Sequence, residues 1–187
     1  MKTQWLNQTV KYDGTQLRSL YAYLGHQLLG DSAVAWRGAC DVSFEHMVDG
    51  EDLLDGSLIR GSDMVHFIIE IFDQSLMSGV LLQRLFAGIV RDVLWQLSPL
   101  ANLEIQRQGD DLYWNQKKLS ISIATQSPVS TMVHFAINVS PEGAPVAAAG
   151  LLDLQVDVKK FAEACLQQLQ QEYQSMQEAT WKVRPVP

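Results

Sequence analysis

The sequence has few cysteines, few prolines and fewer basic than acidic residues, and each scarcity excludes a class of protein. Two cysteines and six prolines occur in 187 residues, so neither a disulfide scaffold nor a proline-rich low-complexity chain is expected. Cys40 and Cys165 lie far apart, and no Cys/His spacing typical of a structural zinc site occurs, so no metal site is predicted. Two cysteines in a chain of this size are typical of a reducing compartment, which predicts a cytoplasmic location.

The charge and hydropathy patterns exclude two kinds of partner. The chain has 14 Lys and Arg against 21 Asp and Glu, a formal net charge of −7 that repels phosphate backbones. No apolar run reaches the roughly 18 residues that cross a bilayer, and residues 1–14 lack the apolar run of a signal peptide. We therefore predict no DNA partner and no membrane association.

The order of periodic segments predicts an α+β fold. Apolar residues make up 47% and charged residues 19%, and no linker or repeat divides the chain, which predicts a single domain over 1–187. Strands are predicted at 5–10, 33–36, 64–72, 118–124 and 131–139, with a loop at 37–41. Helices are predicted from Thr15 onwards, over 75–97 and over 158–177. The acidic stretch 45–55 is interpreted as a solvated loop.

The strand at 118–124 carries the first candidate for chemistry. Leu119, Ile121 and Ile123 alternate with two serines, the period of a half-buried strand. Lys118 and Ser120 are then predicted to share the face opposite the core. An ammonium group that lines a pocket can bind a carboxylate and stabilise charge as a mixed anhydride forms. The alternative is a solvated lysine on a hairpin, the default for this residue type.

Residues 105–140 read IQRQGDDLYWNQKKLSISIATQSPVSTMVHFAINVS. The turn at Asp110-Asp111, the strand from Lys118 and the final segment 136–139 resemble the core of the biotin protein ligases. Lipoyl and octanoyl transferases share the lysine strand, and class II aminoacyl-tRNA synthetases are more distant relatives of the fold. The whole chain also resembles a small prokaryotic family, domain-of-unknown-function family three-six-six.

This resemblance implies a central mixed or mostly antiparallel β-sheet flanked by helices, and chemistry on an acyl group. In one route ATP with Mg²⁺ activates a small carboxylic acid and Lys118 stabilises the transition state. In a second route, which rests on thiol chemistry alone, Cys40 accepts an acyl group from an acyl-carrier protein. The alternative for Cys40 is a buried structural thiol. A homodimer formed through sheet edges is compatible with the resemblance.

Five further residues are candidates for substrate binding. Arg37 and Gly38 stand where the ligases have their nucleotide loop, and an arginine can bind a phosphate or carboxylate with two hydrogen bonds. Asp111 would hold an amine or a ribose hydroxyl, or form an ordinary turn. Ser120 would share the pocket with Lys118, and Asn138 would line that pocket or bond to a neighbouring strand.

Two departures from the ligases support a second class of function. The ligases have a basic, glycine-rich nucleotide loop, whereas this chain has one arginine, one glycine and the acidic Asp41 at that place. Ile121 stands where the ligases usually have a glycine, two residues after their Lys-Leu pair. A non-catalytic module that binds a small molecule or a partner protein is therefore the alternative to a ligase or acyltransferase. His66 and His134, inside apolar strands, are predicted to be hydrogen-bonded groups of the core or of a pocket wall.

Overall fold

The secondary structure is that of a computed structural model, which describes residues 1–100 and 103–186. The strands are β1 (Lys2–Thr9), β2 (Ser32–Val42), β3 (Ile59–Phe72), β4 (Ile105–Gln108), β5 (Asp111–Trp114), β6 (Lys117–Lys118), β7 (Ser120–Gln126) and β8 (Ser130–Ser140). The helices are α1 (Tyr21–His26), α2 (Gly50–Asp55), α3 (Leu76–Leu97) and α4 (Val158–Trp181), with a 3₁₀ turn at Phe44–His46. None of the helices in these ranges has the length and apolar composition that crossing a bilayer requires.

The strands form two sheets. Five strands lie in the order β1-β2-β3-β8-β7, and β4, β5 and β6 form a smaller antiparallel sheet. β1 is parallel to β2, whereas the other pairs of the large sheet are antiparallel. The predicted α+β class with a central mixed sheet flanked by helices is confirmed. A single domain over 1–187 stays a prediction.

One face of the large sheet is covered by α3 and α4 and holds the larger core. Phe67 on β3 and Phe135 on β8 are cross-strand partners, and both reach the ring of Phe86 on α3, at 5.0 and 5.2 Å between centroids. All three rings are fully buried, and each contributes on the order of 2–3 kcal/mol through removal of apolar area from water. This face therefore stabilises the fold and leaves the opposite face for a site.

The opposite face carries a smaller core and opens to a cleft. Because side chains alternate along a strand, Met64 and Ile68 of β3 lie on this face, on either side of His66. They pack with Trp36 of β2 and with Tyr12. Tyr12 belongs to the chain segment after β1, which lies against this face of the sheet.

The predicted loop at 37–41 is wrong, because β2 continues through it as a strand with both edges paired. The segment 10–12 hydrogen-bonds to one edge, through Val10 N–H to Arg37 O and Tyr12 N–H to Ala39 O, and β3 pairs along the other. Gly38 makes this possible: a Cβ atom there would lie 1.9 Å from the Val10 carbonyl oxygen.

The prediction that Ile121 and Ile123 face the core while Ser120 faces the opposite side is also wrong. The strand is interrupted at Leu119, which is buried in the larger core, and the alternation restarts in β7. Cross-strand pairing then places the serines of β7 on the helix-covered side and its isoleucines on the cleft side, in the pairs Ser120–Ile137, Ser122–Phe135, Ile121–Ala136 and Ile123–His134. Lys118 consequently shares the cleft with isoleucines.

The helix predicted from Thr15 begins only at Tyr21. Leu20 adopts a left-handed backbone conformation at φ 62°, and its N–H donates to the buried carboxylate of Glu70 at 2.8 Å. That long-range bond fixes a turn where the apolar spacing alone favours helix.

Candidate functional site

A cleft of about 340 Å³ lies on the sheet face opposite α3 and α4, and Lys118 lies on its wall. The floor is formed by the rings of Tyr12 and His134 with the isoleucines of β7. One wall is the acidic segment from His46 to Asp52, and the other is the turn before β5. The described lining residues therefore combine apolar, acidic and basic groups in one concave space.

The backbone of Lys118 is held by two separate segments of the chain, 147–149 and the end of β8. Its N–H donates to Ala147 O at 2.9 Å, and its carbonyl oxygen accepts from Ala149 N–H at 3.1 Å. The buried amide of Asn138 donates to the same Lys118 oxygen and to Ala149 O, both at 3.2 Å. Asn138 therefore fixes the strand end from which the lysine side chain extends.

The ammonium group of Lys118 forms an ion pair inside the cleft. Its Nζ lies 2.8 Å from Asp111 Oδ2, and the two side chains are only 30% and 26% exposed. Tyr113 donates to the same carboxylate oxygen at 3.3 Å, and burial followed by the charge of Asp111 raises the pKa of Tyr113. A solvent-accessible pair of this kind contributes about 1 kcal/mol or less, so a competing anion can replace Asp111.

The neighbouring Asp110 is engaged in structure. Its carboxylate accepts hydrogen bonds from Gln83 Nε2 at 2.8 Å and from the Ser122 hydroxyl, and Arg84 lies 3.0 Å away. These contacts anchor the turn before β5 to α3. Asp110 thereby positions Asp111, the next residue, against Lys118.

The acidic wall is a short helix rather than the predicted solvated loop. Asp49 caps α2, accepting from the N–H groups of Glu51 at 2.8 Å and Asp52 at 3.3 Å. Burial, followed by the charge of Asp49, raises the pKa of Asp52, while Lys118 acts in the opposite direction. Five carboxylates thus line the cleft beside one ammonium group, in the set Asp49, Glu51, Asp52, Asp110 and Asp111.

His134 of the cleft floor is hydrogen-bonded to a second buried histidine, His66, which does not line the cleft. His66 Nδ1 lies 3.2 Å from His134 Nε2, and His66 Nε2 lies 3.1 Å from Gly38 O. The Tyr12 ring stacks on His134 with 3.7 Å between centroids and 10° between planes. Burial lowers the pKa of His66 to about 4 and that of His134 well below its usual range. The prediction of hydrogen-bonded core or pocket-wall histidines is confirmed, and burial favours the neutral form of both rings.

The residues that line this cleft do not include Arg37 or Gly38. Arg37 forms a two-point ion pair with Asp63, its Nε donating to Oδ1 at 2.8 Å. Gly38 is buried against the segment 10–12. In the structure these two residues hold β2 to its neighbours, and neither faces Lys118.

Cys40 also lies away from the cleft lining. It is 2% exposed, and its Sγ is 4.0 Å from the carbonyl oxygen of Ile59. Burial, followed by the charge of Asp41, raises the pKa of the thiol to about 12. Cys40 therefore stays protonated at neutral pH, the condition of a structural thiol.

Ser120 and Asn138 line a second hollow of about 160 Å³, which shares Lys118 with the main cleft. The Ser120 hydroxyl accepts from Leu112 N–H at 2.9 Å, so it also fixes the β5–β7 junction. Of the seven predicted site residues, Lys118 and Asp111 line the main cleft, and Ser120 and Asn138 line the adjoining hollow that shares Lys118. Arg37, Gly38 and Cys40 line neither space.

The prediction missed α2 and Tyr12 as parts of the site. The signal for α2 was present, because an Asp followed by two acidic residues is typical of a capped helix start. Tyr12 reaches the cleft through its pairing with Cys40, a contact between distant segments that no local pattern indicates. Among residues 1–100 and 103–186, no group of three or more His, Cys, Asp or Glu side chains is arranged to hold a metal ion.

Comparison with solved structures identifies the class of fold. The biotin protein ligase from Aquifex aeolicus, solved in complex with biotin and ATP, superposes with a TM-score of 0.60 at 16% identity, over 95% of this chain and 72% of that one. Protein Ta0514 from T. acidophilum, a proposed lipoate protein ligase with bound lipoic acid, gives a TM-score of 0.50 at 15% identity, over 92% and 86%. The chain therefore has a biotin/lipoate protein ligase-like fold, as the resemblance implied.

Sequence comparison identifies the family within that class. The family model described as domain of unknown function DUF366 matches residues 1–184, so the chain belongs to that family. A protein of unknown function from Pyrococcus horikoshi superposes with a TM-score of 0.92 at 40% identity over 100% of both chains. Uncharacterized protein MJ0805 from Methanocaldococcus jannaschii is 34% identical over 167 residues, 86% of this chain and 74% of that protein.

Proposed function

We propose that the chain binds a small carboxylic acid in the cleft, and that the ammonium group of Lys118 binds its carboxylate. The observation that carries this proposal is the position of Lys118 Nζ on the cleft wall, 2.8 Å from Asp111. The backbone below it is fixed, so binding does not require the strand to be ordered first. An acid displaces Asp111 and keeps the ammonium group paired.

The remaining lining supports an acid with an apolar body. Ile59, Ile121 and Ile123 line the cleft with Leu17 and the Tyr12 ring, and small-molecule sites are commonly apolar with a few placed polar groups. The volume of about 340 Å³ is within the range of such sites.

The charge of the lining restricts the rest of the ligand. Five carboxylates face one ammonium group, so a second negative group on the ligand would be repelled. We therefore expect a monocarboxylic acid whose other polar groups are neutral or cationic.

Activation of the acid with ATP and Mg²⁺ is the second candidate function. It is supported by the fold, which is that of a biotin protein ligase solved with biotin and ATP. Against it, β2 is paired on both edges at 37–41, where the ligases have a nucleotide loop. A triphosphate would also meet the carboxylates of the cleft. Binding without activation is therefore our first proposal, and acyl transfer through Cys40 forms no part of it.

The test is calorimetric titration with biotin, lipoate, octanoate and a set of amino acids. We expect saturable binding of at least one acid, weakened about tenfold or more by Lys118→Ala, because a charge-assisted hydrogen bond contributes about 1.5–3 kcal/mol. Lys117→Ala is the matched control, since Lys117 is the exposed neighbour on the same short strand. That control should bind the acid with unchanged affinity.

Two outcomes separate the alternatives. Equal binding by the wild type and Lys118→Ala would refute the role of the lysine. Release of pyrophosphate from ATP in the presence of a bound acid, lost in Lys118→Ala and kept in Lys117→Ala, would establish the ligase function in place of binding alone.

A further inference from the structure

The two buried histidines have defined tautomers, because the chain of hydrogen bonds ends on a carbonyl oxygen. Gly38 O can only accept, so Nε2 of His66 must carry the proton of that 3.1 Å bond. In a neutral His66 the Nδ1 atom is then an acceptor. The proton of the 3.2 Å contact consequently belongs to His134 Nε2.

This order of protons leaves Nδ1 of His134 as an acceptor with a free lone pair. No hydrogen bond to it occurs among the described residues, although His134 is only 3% exposed. Ser32 Oγ is the single described side-chain polar atom that is both fully enclosed and without a partner. His134 Nδ1 is therefore not fully enclosed, and the cleft is the open space that His134 lines.

We propose that Nδ1 of His134 accepts a hydrogen bond from the ligand, so that the cleft selects acids carrying a hydroxyl or N–H donor in their body. This inference rests on the proposed function, since it names a second recognition group in the same cleft. Lys118 binds the ligand's carboxylate at the cleft wall, and His134 accepts a hydrogen bond from the ligand's hydroxyl or N–H group at the cleft floor.

The surroundings of His134 fit an acceptor rather than a proton-transferring base. A proton taken up on Nδ1 could not pass along the chain, because the Gly38 carbonyl at its far end is no proton acceptor of comparable strength. Burial lowers the pKa of His134, and a proton on the neighbouring His66 would disfavour the charged ring further. The imidazole is thus held neutral, as an acceptor of fixed direction.

Tyr12 fixes the orientation of that acceptor. Its ring lies parallel to His134 at 3.7 Å and also stacks on His66 at 5.2 Å. Rotation of the His134 ring would break the stack and the bond to His66 together. The lone pair therefore keeps one direction before a ligand arrives, which reduces the entropy lost on binding.

The first test needs no ligand and uses ¹⁵N NMR of the histidine rings in the whole protein at pH 7. We expect both His66 and His134 to be protonated on Nε2 and unprotonated on Nδ1. A proton on Nδ1 of His134 would overturn the inference, whatever the protein binds.

The second test compares octanoate with 8-hydroxyoctanoate, together with shorter ω-hydroxy acids and their parent acids. We expect the best-fitting hydroxy acid to bind about tenfold more tightly than its parent, the usual effect of one hydrogen bond to a desolvated acceptor. His134→Gln places an amide near the Nε2 position, so it should keep the bond to His66 and lose this preference. His134→Asn places its amide near the Nδ1 position and should keep the preference.

Unfolding temperatures of both variants establish that they fold, and an unchanged preference in folded His134→Gln would overturn the inference. If no acid binds, the proposed function fails separately. The acceptor is then tested with 1,6-hexanediol against 1,6-dimethoxyhexane, which has no donor. The diol should shift the His134 Nδ1 resonance more than the diether, and equal shifts would overturn the inference.

Discussion

Two strand regions, β2 over 37–41 and the strand that carries Lys118, differ in how they are held, although both resemble binding regions of the ligases. β2 is hydrogen-bonded along both edges over 37–41, and its side chains there are buried or paired with neighbours. The lysine strand is interrupted at Leu119, and Lys118 projects into a cleft with a weakly held partner. The proposed function predicts this difference, with an acid bound beside Lys118 and no nucleotide bound beside β2.

The largest effect is expected from Gly38→Ala, which disrupts the packing of segment 10–12 against β2. A Cβ atom would lie 1.9 Å from the Val10 carbonyl oxygen, a backbone atom that can move only if the segment 10–12 leaves β2. We expect the free energy of unfolding to fall by about 3 kcal/mol or more in urea denaturation.

Gly88→Ala is the control for that change. Gly88 lies within α3, and a Cβ atom there meets nothing within 4 Å. Alanine should therefore leave stability unchanged or raise it by up to about 1 kcal/mol. An equal loss in both variants would show that Gly38 is not a close-packed junction.

A pH dependence of the free energy of unfolding is expected from His66, the buried histidine that is hydrogen-bonded to His134 of the cleft floor. The folded pKa of His66 is lowered to about 4, so between pH 6.5 and 4 the unfolded chain binds more protons than the folded one. Stability is then complete above pH 6.5 and is lost as the pH falls, by at most about 3 kcal/mol from this group. His134 adds to the loss in the same direction.

Urea denaturation from pH 7 to pH 4 measures this dependence. His66→Gln should have a shallower slope, smaller by up to about 1.4 kcal/mol per pH unit. A wild-type slope in His66→Gln would contradict the assignment of a neutral buried ring.

A smaller effect is expected from Asn138→Ala, which removes the amide that holds Lys118. Two carbonyl oxygens lose their 3.2 Å donors, and we expect a loss of about 1–3 kcal/mol in stability together with weaker acid binding. Asn7→Ala, at an exposed position of β1, should change neither quantity. Unchanged acid affinity in Asn138→Ala would mean that the lysine needs no fixed backbone.

The smallest effect is expected from Arg37→Ala. Its ion pair with Asp63 is exposed on the arginine side, so the loss in stability should be at most about 1 kcal/mol. Acid affinity should stay within twofold, because Arg37 lies outside the described cleft lining. A tenfold loss of acid affinity would instead assign Arg37 to the binding site and reverse the comparison between the two regions.

The parts of the fold with continuous apolar periodicity could be predicted from the sequence. The inward residues of α4 and the apolar run of β3 match the structure, because burial on one side leaves a regular pattern. The extent of α3 also matches, but its buried face includes Leu82, Phe86 and Val90 and leaves Leu81 exposed. β2 was missed at 37–41, since glycine and aspartate favour loops. Its inward positions Trp36, Gly38 and Cys40 nevertheless alternate, a signal hidden by the small size of two of them.

The candidate site could be predicted only as far as local patterns extend. Lys118 and Asp111 were recognisable within one hairpin, and His134 as a polar residue in an apolar strand. The cleft itself depends on segments 46–52 and 10–12, which reach the hairpin through long-range packing. The sidedness of β7 depended on one interruption at Leu119 that the alternation of residue types concealed.

The most direct measurement of the central claim is a comparison of acid affinity in Lys118→Ala and Asp111→Asn by calorimetry. Asp111 competes with the ligand carboxylate for one ammonium group, so its neutralisation should strengthen binding several-fold, while Lys118→Ala should weaken it about tenfold or more. Opposite changes are the result we predict. A loss of affinity in Asp111→Asn with no change in Lys118→Ala would contradict the account, because Asp111 and not Lys118 would then bind the ligand.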